Sequence, residues 1–150
     1  MHVDLENRVV VVTGSTRGLG REMVDAFARC GADVVVSGRR QEVCDGVAAE
    51  VATASGRRVV GIACHMGRWD QVDQLAQRAI DEFGRVDVVI EGSRPRALAQ
   101  LGLDAERCVR EGPQVWLSIT AYGRSAPHDA RGGFGDDTAW GGPGRDKICL

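Results

Sequence analysis

The first ninety or so residues switch repeatedly between two hydrophobic periods. Val9 to Val12 is an unbroken apolar run within residues 8–13, which suits a parallel strand covered on both faces. Helical spacing follows over about residues 18–29, with Leu19, Met23, Val24 and Phe27 on one face and Gly31 as the stop. Asp33 to Ser37 reads as a second strand. A helix over about 41–54 then carries Val43, Val47, Ala48 and Val51, and Ser55-Gly56 ends it. Arg58 to Ala63 is a third strand. The clearest helix starts from Asp70 as N-cap, carries Val72, Leu75, Ala76, Ala79, Ile80 and Phe83, and closes at Gly84. Val86 to Ile90 is a fourth strand.

Connections this short favour strand-helix-strand crossovers, which are right-handed and build a parallel sheet with helices on both faces. The expected fold class is therefore α/β, a Rossmann-like doubly wound parallel sheet of about five strands with an irregular C-terminal tail. Beyond residue 90 the pattern weakens. Arg94-Pro95 reads as a turn, Ala97 to Leu101 as a turn or two of helix, and Asp104 as the cap of a short helix to Arg110. Gln114 to Thr120 reads as the fifth strand, burying Val115, Leu117 and Ile119. Residues 123–150 hold seven glycines, two prolines and little apolar periodicity, and read as loop or disordered tail. The expected division is one α/β domain over 1–122 followed by that tail.

Composition narrows the class little further. The chain has 150 residues, 43% of them hydrophobic and 27% charged, as expected of one soluble domain. A net charge of -2 gives no general attraction to nucleic acid or anionic membranes. No apolar run approaches a membrane span, and Met1 to Asp4 does not read as a signal peptide. Cys30, Cys44, Cys64, Cys108 and Cys149 form no C-x-x-C pair, so they read as reduced thiols in a cytoplasmic protein, the first four as small buried hydrophobes. A homo-oligomer is possible, but nothing in the pattern calls for one.

The chemistry concentrates at Thr13-Gly14-Ser15-Thr16-Arg17-Gly18-Leu19-Gly20. A strand precedes this stretch and a helix follows it, so helix N-terminal N–H groups face a place where a phosphate can sit. Glycines are needed where a side chain would block the turn, the diphosphate or the helix packing. The stretch closely resembles the T-G-x-x-x-G-[IL]-G pattern of the short-chain dehydrogenase/reductase family. Val34 to Arg40 resembles that family's second strand, and Arg68 to Val88 its third helix and fourth strand, so the resemblance covers about residues 5–89.

The resemblance implies a dinucleotide partner. Members that use NAD carry a carboxylate at the end of strand two for the ribose hydroxyls. Here Ser37-Gly38 is followed by Arg39 and Arg40, and Arg17 lies in the glycine loop. Guanidinium groups bind phosphate bidentately, so the expected cofactor is NADP rather than NAD. Where the family usually offers an Asp to the adenine, this chain has Cys64-His65-Met66. His65 could hydrogen-bond there instead, or be an ordinary loop histidine.

The family pattern then breaks. Its fourth strand ends in N-N-A-G, whereas Ile90 is followed by Glu91-Gly92-Ser93-Arg94. The resemblance further implies a catalytic Ser and a Y-x-x-x-K, in which the Lys lowers the pKa of the Tyr that handles the substrate proton. The single tyrosine, Tyr122, lies 25 residues from the single lysine, Lys147, and Ser118 is only four residues before Tyr122. No catalytic residue is assigned, nor any metal ligand. Residues 86–137 instead resemble an internal piece of the family III CoA-transferases, through Asp87 to Leu98, Leu101-Gly102-Leu103 and Trp116 to Gly123. Phe134-Gly135-Asp136-Asp137 would fall in the following loop, where neither Asp matches the context of that family's nucleophile.

The simplest account is a chimeric or truncated reading frame joined within Val86 to Ile90. Three functions compete: an NADP-linked reductase, a module that binds NADP without turnover, and a transferase remnant touching CoA through Arg94 or Arg96. The missing proton chemistry favours binding without efficient catalysis.

Overall fold

A computed structural model describes residues 3–91, 109–110 and 115–119. The elements given in full among the described residues are, in order, β1 (Val9–Thr13), α1 (Gly18–Arg29), β2 (Asp33–Gly38), α2 (Gln41–Ser55), β3 (Val59–Ala63), α3 (Trp69–Phe83), β4 (Val88–Glu91) and β5 (Val115–Ser118). The sheet is parallel throughout, with strand order β3-β2-β1-β4-β5. The expected Rossmann-like architecture is therefore present. The turn at Arg94-Pro95, the segment 97–101 and the tail 123–150 lie outside the described residues, as do Cys108 and Cys149. Val109 and Arg110 are helical.

The valine runs are explained by coverage of both faces. Val10, Val12, Val34, Val36 and Ile90 pack with Val24 and Ala28 of α1 and Cys44, Val47, Ala48 and Val51 of α2. Val11, Val35 and Ile62 face the other way, onto Leu75 and Ala79 of α3. Period-2 alternation thus feeds two apolar layers at once, and the polar residues of β1 and β2, Thr13, Asp33 and Ser37, fall toward the strand ends. Gly56 and Gly84 end α2 and α3 at φ values of 70° and 75°, donating their N–H groups back to Ala52 and Ile80.

Several local expectations need correction. Arg68, not Asp70, is the N-cap of α3; Asp70 lies in its first turn. Leu19 is 64% exposed at the start of α1 rather than on the buried face. On α3 the buried line runs through Leu75 and Ala79, with Val72 and Phe83 half-buried. Ala76 and Ile80 each sit one position, about 100°, round from that line, and are exposed. Among the described residues β5 pairs only with β4, at one edge of the sheet. Val115 and Ile119 are exposed, while Leu117 alone packs against the α1/α2 layer. Cys44 and Cys64 are buried and unpaired as expected, Cys30 only half-buried. Burial pushes the Cys44 and Cys64 thiols up, which keeps them protonated and unreactive.

At the amino ends of β1 and β4, Asp87 is almost fully buried. Its carboxylate accepts from Val9 N at 2.9 Å, Arg85 Nε at 2.8 Å and Arg8 Nη1 at 3.3 Å, and also from Arg85 Nη2. Burial alone would raise its pKa, but these donors outweigh burial and hold the carboxyl below its ordinary value. This cluster fixes the start of β4 beside β1, at the end of the sheet remote from the glycine loop.

Candidate dinucleotide site

Strand order reverses at β1, which has β2 on one side and β4 on the other. A crevice opens at such a switch point, outside the carboxyl ends of the strands, and the glycine loop lies there. Thr13 Oγ1 reaches Ile90 O at 3.4 Å, linking the ends of β1 and β4 beneath the loop.

Each loop residue has a distinct place. Gly14 and Gly18 adopt φ values of 68° and 58°, the left-handed region open to glycine without strain. They turn the chain from β1 into α1 within four residues. Gly20 serves close approach instead. A Cβ there would fall 2.8 Å from Gly14 O and 2.9 Å from Ser15 Cα, so the first turn of α1 is pressed against loop backbone. Ser15 is fully buried and has no access to a ligand. Its hydroxyl donates to Val12 O at 2.6 Å and accepts from Ser37 N at 3.0 Å, while its own N–H donates to Ser37 O at 2.9 Å. Ser37 is buried likewise. These two serines lock the loop to the end of β2 and form the floor of the site.

The ligand-facing side is electropositive. Arg17 is the N-cap of α1, no side chain caps that end, and its first turn holds no acidic residue. The orphan N–H groups of α1 are therefore free to serve an anion. Arg17, Arg39 and Arg40 are all exposed. Arg40 lies 3.8 Å from Glu42, with both side chains 73% exposed, a pair too long and too solvated to hold it. Gly38 ends β2 and presents no carboxylate, and Thr16 is half-buried beside it. These features fit a dinucleotide diphosphate at α1.

His65 follows β3 and is exposed. Its Nδ1 accepts Gly67 N–H at 3.1 Å, so the neutral ring carries its proton on Nε2. Its backbone N–H donates to Gln71 Oε1 at 2.8 Å, which fixes the loop entering α3. Tyr122, Lys147, Arg94, Arg96, Asp136 and Asp137 lie outside the described residues. Ser118 ends β5 in register with Glu91 of β4. Among the described residues no group of three or more His, Cys, Asp or Glu could hold a metal ion, and no helix is long and apolar enough to cross a membrane. A shallow depression lined by Asp73, Gln74, Ala76, Gln77 and Ile80 lies along α3 and includes none of the loop residues.

One residue the sequence reading passed over shapes this corner. Among the described residues β3 is an edge strand, and the Gln41 carboxamide covers part of it in the manner of strand backbone. Its Oε1 accepts Ala63 N–H at 2.9 Å and its Nε2 donates to Gly61 O at 2.8 Å. Gln41 directly follows Arg39 and Arg40, so the same contact anchors the chain that carries them. A glutamine at a helix start carries no sequence signal for such a role.

The family model described as short chain dehydrogenase matches residues 8–96. Human dehydrogenase/reductase SDR family member 2, mitochondrial, is 35% identical over 125 residues, covering 82% of this chain and 41% of that protein. That likeness runs well past residue 89. Among solved structures, L-sorbose reductase from Gluconobacter frateurii, complexed with NADPH and L-sorbose, is 26% identical with a TM-score of 0.58, covering 63% of this chain and 37% of the other. A 7α-hydroxysteroid dehydrogenase complexed with NADH and 7-oxo glycochenodeoxycholic acid shares the fold at a TM-score of 0.66 and 24% identity, over 80% and 55% of the two chains. The chain spans about a third to a half of the length of the curated relatives it matches.

Proposed function

Because this chain belongs to the short-chain dehydrogenase family, we propose that its glycine loop binds NADP(H), with the diphosphate at the start of α1 and the 2′-phosphate among Arg17, Arg39 and Arg40. One observation carries the choice of NADP. Exposed Arg39 and Arg40 directly follow the end of β2, where position 38 has no carboxylate for ribose hydroxyls, and exposed Arg17 adjoins Thr16, which packs beside Gly38. L-sorbose reductase holds NADPH and the 7α-hydroxysteroid dehydrogenase holds NADH, so these neighbours support a nicotinamide dinucleotide of either kind. Ser15, Ser37 and Gly20 shape the site without touching the cofactor, Thr13 joins β1 to β4 beneath it, and Gly14, Thr16, Gly18 and Leu19 line it. His65 offers its Nε2–H beside the adenine end.

Bound NADPH supplies a hydride, and the family partners it with a Tyr and Lys that handle the substrate proton. The 150 residues of this chain contain no Y-x-x-x-K, since Tyr122 and Lys147 are 25 residues apart. These 150 residues therefore supply the cofactor site and not the family's proton donor. The likeness of residues 86–137 to family III CoA-transferases is carried by sequence motifs alone. Calorimetric titration with NADPH, NADH and CoA, joined to a turnover assay with carbonyl substrates, tests both readings. Binding of NADPH with little turnover is expected. Turnover abolished by Tyr122→Phe would overturn the claim of lost catalysis, and CoA binding in place of NADPH would overturn the cofactor assignment.

A further inference from the structure

Gly38 occupies the position from which a carboxylate would reach the ribose hydroxyls of NAD. Its φ does not lie in the left-handed region, so its backbone admits any residue. Space is what excludes a side chain. A Cβ at Gly38 would lie 2.7 Å from Thr16 Cγ2, 3.2 Å from Thr16 Oγ1 and 3.4 Å from Cys44 Sγ.

The obstruction can be relieved only in part. Threonine is branched at Cβ, and both of its γ atoms face Gly38. Turning χ1 by a staggered step moves one γ atom away but leaves at least one of the two nearby positions filled. The loop itself cannot withdraw, because Ser15 is tied to Ser37 through its N–H and its hydroxyl, at 2.9 and 3.0 Å. On the remaining side Cys44 is fully buried in the α2 layer.

We propose that Thr16 is a specificity-determining residue, barring a carboxylate from position 38 and so excluding the NAD-type ribose contact. The assignment rests on the dinucleotide reading above and deepens it. In the wild type, preference for the 2′-phosphate comes from Arg17, Arg39 and Arg40, while the packing of Thr16 against Gly38, 22 positions away, keeps a competing carboxylate from being accommodated. A conversion toward NAD requires space at position 16 before a carboxylate at position 38 can help.

The test compares wild type, Gly38→Asp, Thr16→Ala and the double variant, by thermal unfolding without ligand and by calorimetry with NADH and NADPH. Gly38→Asp alone should lower Tm by about 3–10 °C, the range expected for overpacking in a chain of this size, and lose both cofactors. Adding Thr16→Ala should restore most of the lost Tm and bind NADH at least roughly tenfold more tightly than Gly38→Asp alone, the size of about one good hydrogen bond to a charged group. Should Gly38→Asp not fold, Gly38→Ala gives the same ordering with a smaller shift. A Tm loss of equal size whether or not Thr16→Ala is present would overturn the lock, whatever binds. Intact thermal coupling in a wild-type protein that binds neither dinucleotide would instead overturn the specificity role, and with it the cofactor reading.

Discussion

Replacing Gly20 by alanine sets two effects of known size against each other. Within a helix, alanine is more favourable than glycine by about 1 kcal/mol, because glycine loses more backbone freedom on folding. At Gly20, however, the new Cβ would lie 2.8 Å from Gly14 O, 2.9 Å from Ser15 Cα and 3.2 Å from Gly14 C. All three are backbone atoms, and Ser15 is pinned to β2. Relief demands that α1 retreat by several tenths of an ångström, disturbing Val24 and Ala28 in the layer beneath. Overpacking of this kind costs about 1–3 kcal/mol, and immovable partners place it near the upper end. The net expectation is a loss of about 1–2 kcal/mol.

Gly46 supplies the control. It lies inside α2, is exposed, has no positive φ, and a Cβ there meets nothing within 4 Å. Gly46→Ala should therefore stabilise by about 0.5–1 kcal/mol. Urea unfolding followed by circular dichroism would read both variants on one scale. The same substitution should give opposite signs at the two sites. A Gly20→Ala protein as stable as Gly46→Ala would refute the close approach of α1 to the glycine loop.

Removing the Asp87 carboxylate by Asp87→Ala should cost about 2–3 kcal/mol, since a buried Val9 N–H loses its acceptor while the half-exposed Arg8 and Arg85 remain solvated. The depressed pKa of Asp87 also sets a pH limb. Its contribution is fully present above the unfolded-chain value of about 3.9, and is lost as pH falls through the lower folded value. Asp87→Asn should flatten that limb, and an unchanged acid titration of stability would count against the assignment. Gln41→Ala should cost about 1 kcal/mol and speed hydrogen exchange at the Ala63 amide, because the edge of β3 loses its cover. Unaltered exchange at Ala63 would show that the carboxamide does not protect the edge.

The sheet was legible because its valine runs and glycine stops are local signals, each read within a few residues. The glycine loop was legible for the same reason, as were the exposed arginines. What escaped were contacts between distant positions and the sidedness of weakly covered elements. Val115 and Ile119 have the composition of buried strand residues, yet one starts β5, the other follows its end, and both are exposed. Ile80 carries helical spacing, yet lies just outside the stripe through Leu75 and Ala79. Ser15 sits in the binding pattern and proves to be flooring, because its partner Ser37 lies 22 residues away. Thr16 and Gly38 are separated by the same distance in sequence and meet only once β1 and β2 are paired.

The central claim is that the corner beside β2 selects a 2′-phosphate. Calorimetric titration of the wild type and the Arg39→Ala/Arg40→Ala variant with NADPH and NADH tests it most directly. The wild type should bind NADPH more tightly than NADH by roughly tenfold or more, as expected when charge-assisted hydrogen bonds are made to one ligand only. The double variant should lose most of that difference while NADH affinity changes little. Equal affinity of the wild type for the two dinucleotides, or equal weakening of both in the variant, would contradict the account.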